Sequence, residues 1–192
     1  ALAEMAAGDG SCSTIMSVHN SVGCMPVLKY GTEDQKQRFL RPLARGDMLA
    51  AFALTEPHTG SDASAIRTRA ERSGNGWVLN GTKQFISSGS RADICIAFED
   101  LQLEADLMLG KEGEGYRIAL SNLEGGRIGI AAQSVGMAQA AYEAALAYAK
   151  ERTSFGKPII EHQAVNFRLA DMATQIEAAR QMVLHAACLR DA

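Results

Sequence analysis

The stretch Leu54-Thr-Glu-Pro-His-Thr-Gly-Ser-Asp62 decides how the rest of the chain is read. A run of small and apolar residues from Met48 ends there in a Thr-Glu-Pro corner. Pro57 fixes its own φ and drives Glu56 towards extended geometry, so an extended segment must turn at this point. Gly60 allows a close backbone approach, and Thr55, Thr59 and Ser61 bring hydroxyls to one loop. Backbone N–H groups and hydroxyls on a tight loop suit a phosphate or another polar ligand group. An ordinary polar turn between two strands is the competing reading. The flanks decide between them.

Downstream, Ala65-Ile-Arg-Thr-Arg-Ala70 alternates, Ser73-Gly-Asn-Gly76 reads as a turn, and Trp77-Val-Leu79 as the returning strand. Asn80-Gly81 is a strong hairpin signal, with Thr82 to Ser87 and Ile94 to Phe98 as two more strands. Sequential strands joined by tight turns predict an antiparallel meander, either a compact sheet or a small barrel. No helix separates them, which argues against a Rossmann fold. Glu99 to Gly115 reads as a short apolar-acidic stretch followed by a flexible Gly-rich linker. The glycines of Gly110-Lys-Glu-Gly-Glu-Gly115 lack a following Gly-Lys-Ser/Thr, so this is not a P-loop.

Both ends read as helical. Ser11 or Ser13 is a candidate cap for a segment through Val22, closed by Gly23 and Pro26. Thr32 with Gln35 forms a capping box for a second helix, which has Glu33 and Asp34 in its first turn and stops at Gly46. Beyond the linker, Ile128, Ala131, Val135, Ala138, Tyr142, Ala145 and Ala149 recur at helical spacing. After a turn at Gly156-Lys-Pro158, Val165, Leu169, Met172, Ile176, Ala179, Val183 and Ala186 do the same. This predicts two antiparallel helices of a packed bundle, with Met137, Met172 and Met182 as core filler.

Composition narrows the function classes. With 47% apolar and 21% charged residues the chain has the make-up of a globular protein. A formal net charge of −3 gives no reason to expect nucleic acid or an anionic membrane as partner. No apolar run reaches bilayer-spanning length, and Ala1 to Ala7, with Glu4 and no basic cluster, do not read as a signal peptide. Cys12, Cys24, Cys95 and Cys188 are scattered, which predicts buried reduced thiols rather than a disulfide framework or zinc site. His19, His58, His162 and His185 show no metal-ligand spacing, so no metal is expected.

Helices, a small antiparallel β unit and a helical bundle form an uncommon order. With four of its segments, the chain resembles the acyl-CoA dehydrogenase family of flavoenzymes. These are Gly31-Thr-Glu-Asp-Gln-Lys-Gln-Arg-Phe-Leu40, Ala53-Leu-Thr-Glu-Pro-His-Thr-Gly-Ser-Asp62, Asn80-Gly-Thr-Lys-Gln-Phe-Ile-Ser87 and Glu151-Arg-Thr-Ser-Phe-Gly-Lys157 with His162-Gln163. The second and fourth are the specific ones. The resemblance implies an α+β multi-domain chain: the end of an N-terminal helical domain over 1–46, a middle antiparallel β domain over 47–107, and the first part of a C-terminal helical bundle over 108–192.

It also implies an FAD site. Phe52, Leu54 and Thr55 are expected along the isoalloxazine, Ser61 at the pyrophosphate and near the acyl-CoA, and Phe85, Ile86 and Ser87 on the opposite wall. Phe85 replaces the tryptophan of many members. Arg152, Phe155 and Gln163 are expected to contact the FAD of a neighbouring subunit, the guanidinium supplying charge-assisted hydrogen bonds to a diphosphate. Glu124-Gly-Gly-Arg127 resembles the segment that lines the acyl-CoA pocket, with Arg127 a candidate for the CoA portion. A local salt bridge to Glu124 is the competing role for Arg127, and an exposed helix-end charge for Arg152.

The implied activity is α,β-dehydrogenation of an acyl-CoA to the 2-enoyl-CoA, with electrons passed to an electron-transfer flavoprotein. A homotetramer is expected, in a bacterial-type cytoplasm or a mitochondrial matrix. A flavin oxidase or monooxygenase of the same fold is one alternative; a truncated, non-catalytic oligomerising remnant is another. The chain departs from the family in three places. The first helices of the N-terminal domain are absent. Several tens of residues expected between Phe98 and Asp100 are also absent, and because such a cut would leave a strand edge open, a segment outside this sequence is expected rather than a deletion. No catalytic base is assigned either: the position used by a minority of members is Gly126 here, and in most the glutamate lies beyond Ala192.

Overall fold

The computed structural model describes residues 1–87 and 95–191. The chain divides into two compact units, one of Val18–Gly126, the other of Ala1–Ser17 with the chain from Arg127 onward. The N-terminal region is helical: α1 (Leu2–Gly8), α2 (Gly10–Val18), a wide π turn (His19–Cys24) and α3 (Met25–Tyr30). Asp9, not Ser11 or Ser13, caps α2, its carboxylate accepting the Cys12 N–H at 2.7 Å. Nor do Gly23 and Pro26 end the helix. In the wide turn the Met25 N–H reaches back to the Asn20 carbonyl, which lets the chain absorb the N–H that Pro26 lacks. Gly23 is small for packing: a Cβ there would lie 2.3 Å from that of Ala50.

The second helical stretch follows its sequence signals closely. It comprises α4 (Glu33–Gln35), a wide turn (Lys36–Leu40) and α5 (Arg41–Arg45). In the capping box, the Gln35 N–H donates to the Thr32 hydroxyl at 3.2 Å and the Thr32 N–H to Gln35 Oε1 at 2.9 Å. Gly46 ends α5 in the left-handed conformation, at φ 81°.

Three strands, β1 (Arg69–Ser73), β2 (Gly76–Gln84) and β3 (Cys95–Leu103), form an antiparallel sheet in sequence order. Ile94 lies outside the described residues. Asn80-Gly81 is not a hairpin turn, because β2 runs through it. The register shifts there, and Asn80 clasps Asp100, accepting its N–H at 2.8 Å and donating to its carboxylate at 3.1 Å. This is a bulge in which Glu99 and Asp100 face one residue, with Asp100 at φ 47°. Gly81 makes room for Thr68; a Cβ there would lie 2.3 Å from the threonine hydroxyl. Trp77, Leu79 and Leu103, with Leu107 and Met108, line an apolar cavity of about 340 Å³.

The expected flexible linker is a structured connection. The buried Gln35 amide donates to the carbonyls of Asp106 and Met108 at 2.7 and 2.9 Å. Glu114 accepts the Lys111 N–H at 3.0 Å, closing the Gly110–Gly113 turn directly onto α6 (Gly115–Glu151). That helix starts before Arg127, because Gly125 and Gly126 stay helical within it. A two-residue hairpin, β4 (Thr153–Ser154) with β5 (Lys157–Pro158), precedes α7 (Gln163–Asp191). Arg180 on α7 donates to Gln139 on α6 at 3.0 Å, as expected of antiparallel neighbours.

The methionines are not core filler. Met137, Met172 and Met182 are 49%, 45% and 74% exposed, while Val135, Ala149 and Leu169 are buried. Helical periodicity marks an apolar face but does not say whether this chain covers it. Cys24 is buried as expected, whereas Cys12 and Cys188 are exposed. Among the described residues no helix is long and apolar enough to cross a membrane.

Candidate functional site

The opening loop is built around a buried ion pair. Lys83 of β2 places its ammonium 2.8 Å from the Glu56 carboxylate, with the two side chains 7% and 2% exposed. The same ammonium donates to the Leu54 carbonyl at 3.0 Å. Glu56 also accepts the N–H groups of Arg67 and Thr68 at 2.7 and 3.0 Å. These bonds explain why the predicted strand from Ala65 begins only at Arg69: the carboxylate has taken two amides that a ladder would use. Burial alone raises a carboxyl pKa, but the Lys83 ammonium and the two backbone N–H groups outweigh it and hold Glu56 well below the usual range.

The rest of the loop is internally bonded. Glu56 and Thr59 exchange backbone hydrogen bonds at 2.9 and 3.1 Å across the Pro57-His58 turn. His58 donates to the Ala65 carbonyl at 3.1 Å, with its ring 3.7 Å from Glu56. The Thr59 hydroxyl donates to the Asp62 carbonyl at 2.6 Å, and Asp62 in turn accepts from the Ser64 N–H and hydroxyl. Thr59 is therefore spent on the turn, whereas the hydroxyls of Thr55 and Ser61 meet no partner among the described residues.

One backbone rung brings the two predicted walls together. The Gln84 N–H donates to the Thr55 carbonyl at 2.8 Å, immediately before Phe85, Ile86 and Ser87. β2 ends at Gln84, and Phe85 takes the left-handed conformation at φ 56° with 73% of its surface exposed. Phe52, Leu54, Thr55 and Ile86 are half-buried; Ser61 and Ser87 are exposed. The segment 51–55 belongs to no strand. Unpaired hydroxyls, the backbone of a short segment outside the sheet and a bare aromatic ring form a set that fits a planar heteroaromatic group carrying polar edges and a diphosphate.

Arg152, Phe155 and Gln163 lie in the other unit. Phe155 and Gly156, at φ 50° and 78°, form the hairpin tip, and Phe155 is 96% exposed. Its ring stands edge-on to His162 at 6.2 Å, and His162 donates to the Ser154 carbonyl at 3.1 Å. Arg152 and Gln163 are exposed at the flanking helix ends, and among the described residues the Arg152 guanidinium has no partner. Glu124 and Arg127 are exposed on α6. The competing salt bridge does not form, since Arg127 has no ion-pair partner among the described residues.

Sequence reading gave Glu56 and Lys83 no role in the site. No local signal joins two residues on separate segments, beyond the oddity of a lysine in an otherwise half-buried strand. Nor does any group of three or more His, Cys, Asp or Glu among the described residues form a metal cluster.

Three family models together match all of the chain but residues 48–50. The descriptions "Acyl-CoA dehydrogenase, N-terminal domain", "middle domain" and "C-terminal domain" match residues 1–47, 51–147 and 113–192. The chain belongs to the acyl-CoA dehydrogenase family. It is 41% identical to an acyl-CoA dehydrogenase of Bacillus subtilis, covering 100% of this chain and 62% of the relative. The butyryl-CoA dehydrogenase structure of Megasphaera elsdenii superimposes with a TM-score of 0.95 at 36% identity, covering 98% of this chain and 61% of the other. A Mycobacterium smegmatis glutaryl-CoA dehydrogenase in complex with FADH2 superimposes at 0.92 and 28% identity, over 100% and 60%.

The chain thus spans about three fifths of these relatives' length. The Bacillus alignment runs over 236 positions against 192 residues here, so 44 positions of it have no counterpart in this chain. At Phe98-Glu-Asp100, where the missing segment is expected, β3 runs on as one strand.

Proposed function

We propose that the protein is an FAD-dependent acyl-CoA dehydrogenase, oxidising the Cα–Cβ bond of an acyl-CoA to the 2-enoyl-CoA. The observation that carries this reading is the Thr55–Gln84 rung, which sets unused donors beside the exposed Phe85. Phe52, Leu54 and Thr55 would hold the flavin ring by backbone groups and the Thr55 hydroxyl. Ser61 would hold the pyrophosphate, and Phe85, Ile86 and Ser87 the ring's other side. Arg152, Phe155 and Gln163 would serve the FAD of a neighbouring subunit in a homotetramer. Arg127, with Glu124 nearby on α6, would meet the CoA portion. The division into 1–46, 47–107 and 108–192 belongs to the same reading.

When bound, FAD supplies a hydride acceptor for the β-hydrogen. This chain's residues would bind and orient, and none of them is assigned the removal of the α-proton. A short acyl group is favoured by the likeness to the butyryl-CoA enzyme, and an electron-transfer flavoprotein by the family resemblance. The test is the visible spectrum of the intact protein, with a flavin band that bleaches on adding butyryl-CoA without oxygen. A colourless protein that cannot be reconstituted with FAD rules the reading out. Rapid reoxidation by air, without a protein acceptor, points instead to an oxidase.

The second reading is a non-catalytic remnant, which holds if the protein itself lacks the 44 positions. An intact mass near 20.5 kDa supports it, and about twice that value excludes it.

A further inference from the structure

Glu56 and Lys83 are the buried charged side chains among the described residues. Removing two charges from water is expensive, and a neutral hydrogen bond is enough to hold an ordinary turn. This pair does more than close a turn, because its bonds reach three separate segments. The ammonium fixes the Leu54 carbonyl, the carboxylate fixes the amides of Arg67 and Thr68, and the next strand residue, Gln84, fixes the Thr55 carbonyl. Holding the carbonyls of Leu54 and Thr55 fixes the two peptide planes that follow them. With those planes fixed, the direction of the Thr55 N–H and the backbone carrying the Thr55 hydroxyl are set before any ligand arrives.

We infer that Glu56 and Lys83 are positioning residues for the flavin, an inference that rests on the proposed function and adds to it a cause for the site's geometry. Neither side chain has surface left with which to touch a ligand. They act through Leu54 and Thr55 on one side and through Gln84, which leads into Phe85, on the other. One buried ammonium therefore sets the spacing between the two walls. A buried pair suits that task because breaking it leaves an unpaired charge inside, so the loop has few alternative arrangements to sample.

The experiment uses the full-length protein with Glu56→Gln, which keeps shape and an acceptor, and Lys83→Met, which removes the ammonium. Thr32→Ala, which breaks the capping box, serves as a control that lowers stability away from the loop. FAD affinity is titrated by flavin fluorescence at a temperature where circular dichroism shows each variant folded, and amide exchange of Arg67, Thr68 and Gln84 is followed without FAD. The expected result is at least a tenfold loss of affinity in Lys83→Met and a smaller loss in Glu56→Gln. Faster exchange at those amides and an unchanged affinity in Thr32→Ala are expected alongside. Folded Glu56→Gln and Lys83→Met proteins that bind FAD as the wild type does overturn the inference, as does an equal loss in Thr32→Ala. A wild type that takes up no FAD overturns the proposed function instead, and the exchange data still report whether the pair orders the loop.

Discussion

Phe85 and Phe155 share a backbone state that bulky residues rarely adopt, and they are held in it by different means. Both are left-handed, at φ 56° and 50°, and both are strongly exposed. Such a residue gives up roughly 1 kcal/mol relative to glycine and gains no burial in return. Phe85 follows a strand anchored by a buried ion pair and a backbone rung. Phe155 rides on a two-residue turn tied by backbone pairing, the Ile159–Arg152 bond at 2.8 Å and the His162 contact with Ser154. The contrast teaches that one conformation can be imposed from below by charge or from the sides by a closed hairpin. Both rings are bare in that unfavourable state, as the proposed flavin contacts would need.

The largest expected effect breaks the first corner only. Lys83→Met leaves a carboxylate buried without its cation, at a cost of about 3–5 kcal/mol, and lowers Tm by about 10 °C. Calorimetry of the full-length protein checks this, and exchange at the Phe155 hairpin should stay as in the wild type. The same pair gives the first corner a pH dependence. Because the Glu56 pKa is depressed on folding, its stabilisation is complete above the ordinary value of 4.5 and is lost as pH falls towards the native value. Between pH 5 and 3 the wild type should therefore lose stability more steeply than Glu56→Gln, read from urea midpoints. Equal slopes would remove the ion pair from the account.

Smaller effects probe the second corner. Gly156→Val places a β-branched residue at φ 78° and should destabilise the hairpin by about 1–3 kcal/mol. Its signature is faster exchange of the Ile159 amide with Gln84 unaffected. Phe155→Gly and Phe85→Gly should each leave stability unchanged or raise it by about 1 kcal/mol while weakening FAD binding. A clear loss of stability in either would mean that the ring packs rather than waits for a ligand.

Local signals were legible where the chemistry is local. The Thr32–Gln35 box, the Gly46 stop and the hairpin at Gly74-Asn75 all lie within a few residues of what they control, and they were read correctly. Asn80-Gly81 misled because the same dipeptide serves a turn or a bulge, and the clasp from Asp100 decides which. Gly23 reads as a break, but a small residue also permits close packing inside a helix. The Glu56–Lys83 pair spans 27 residues and leaves no periodic trace. The exposed methionines on α6 and α7 show the opposite limit, a pattern plain in sequence that does not tell a covered face from an exposed one. Of the candidate site, the two segments were named by resemblance alone; the rung and the ion pair that join them left no sign in the sequence.

The bulge at Asn80 and Asp100 settles how β3 is registered against β2. In a regular ladder, inserting or removing an odd number of residues turns every following side chain to the opposite face. With Glu99 and Asp100 sharing one opposite residue, Cys95–Phe98 and Leu101–Leu103 keep separate registers against β2. Phe98 therefore lies opposite Gly81 and Leu101 opposite Leu79, although two residues separate them in β3 and one in β2.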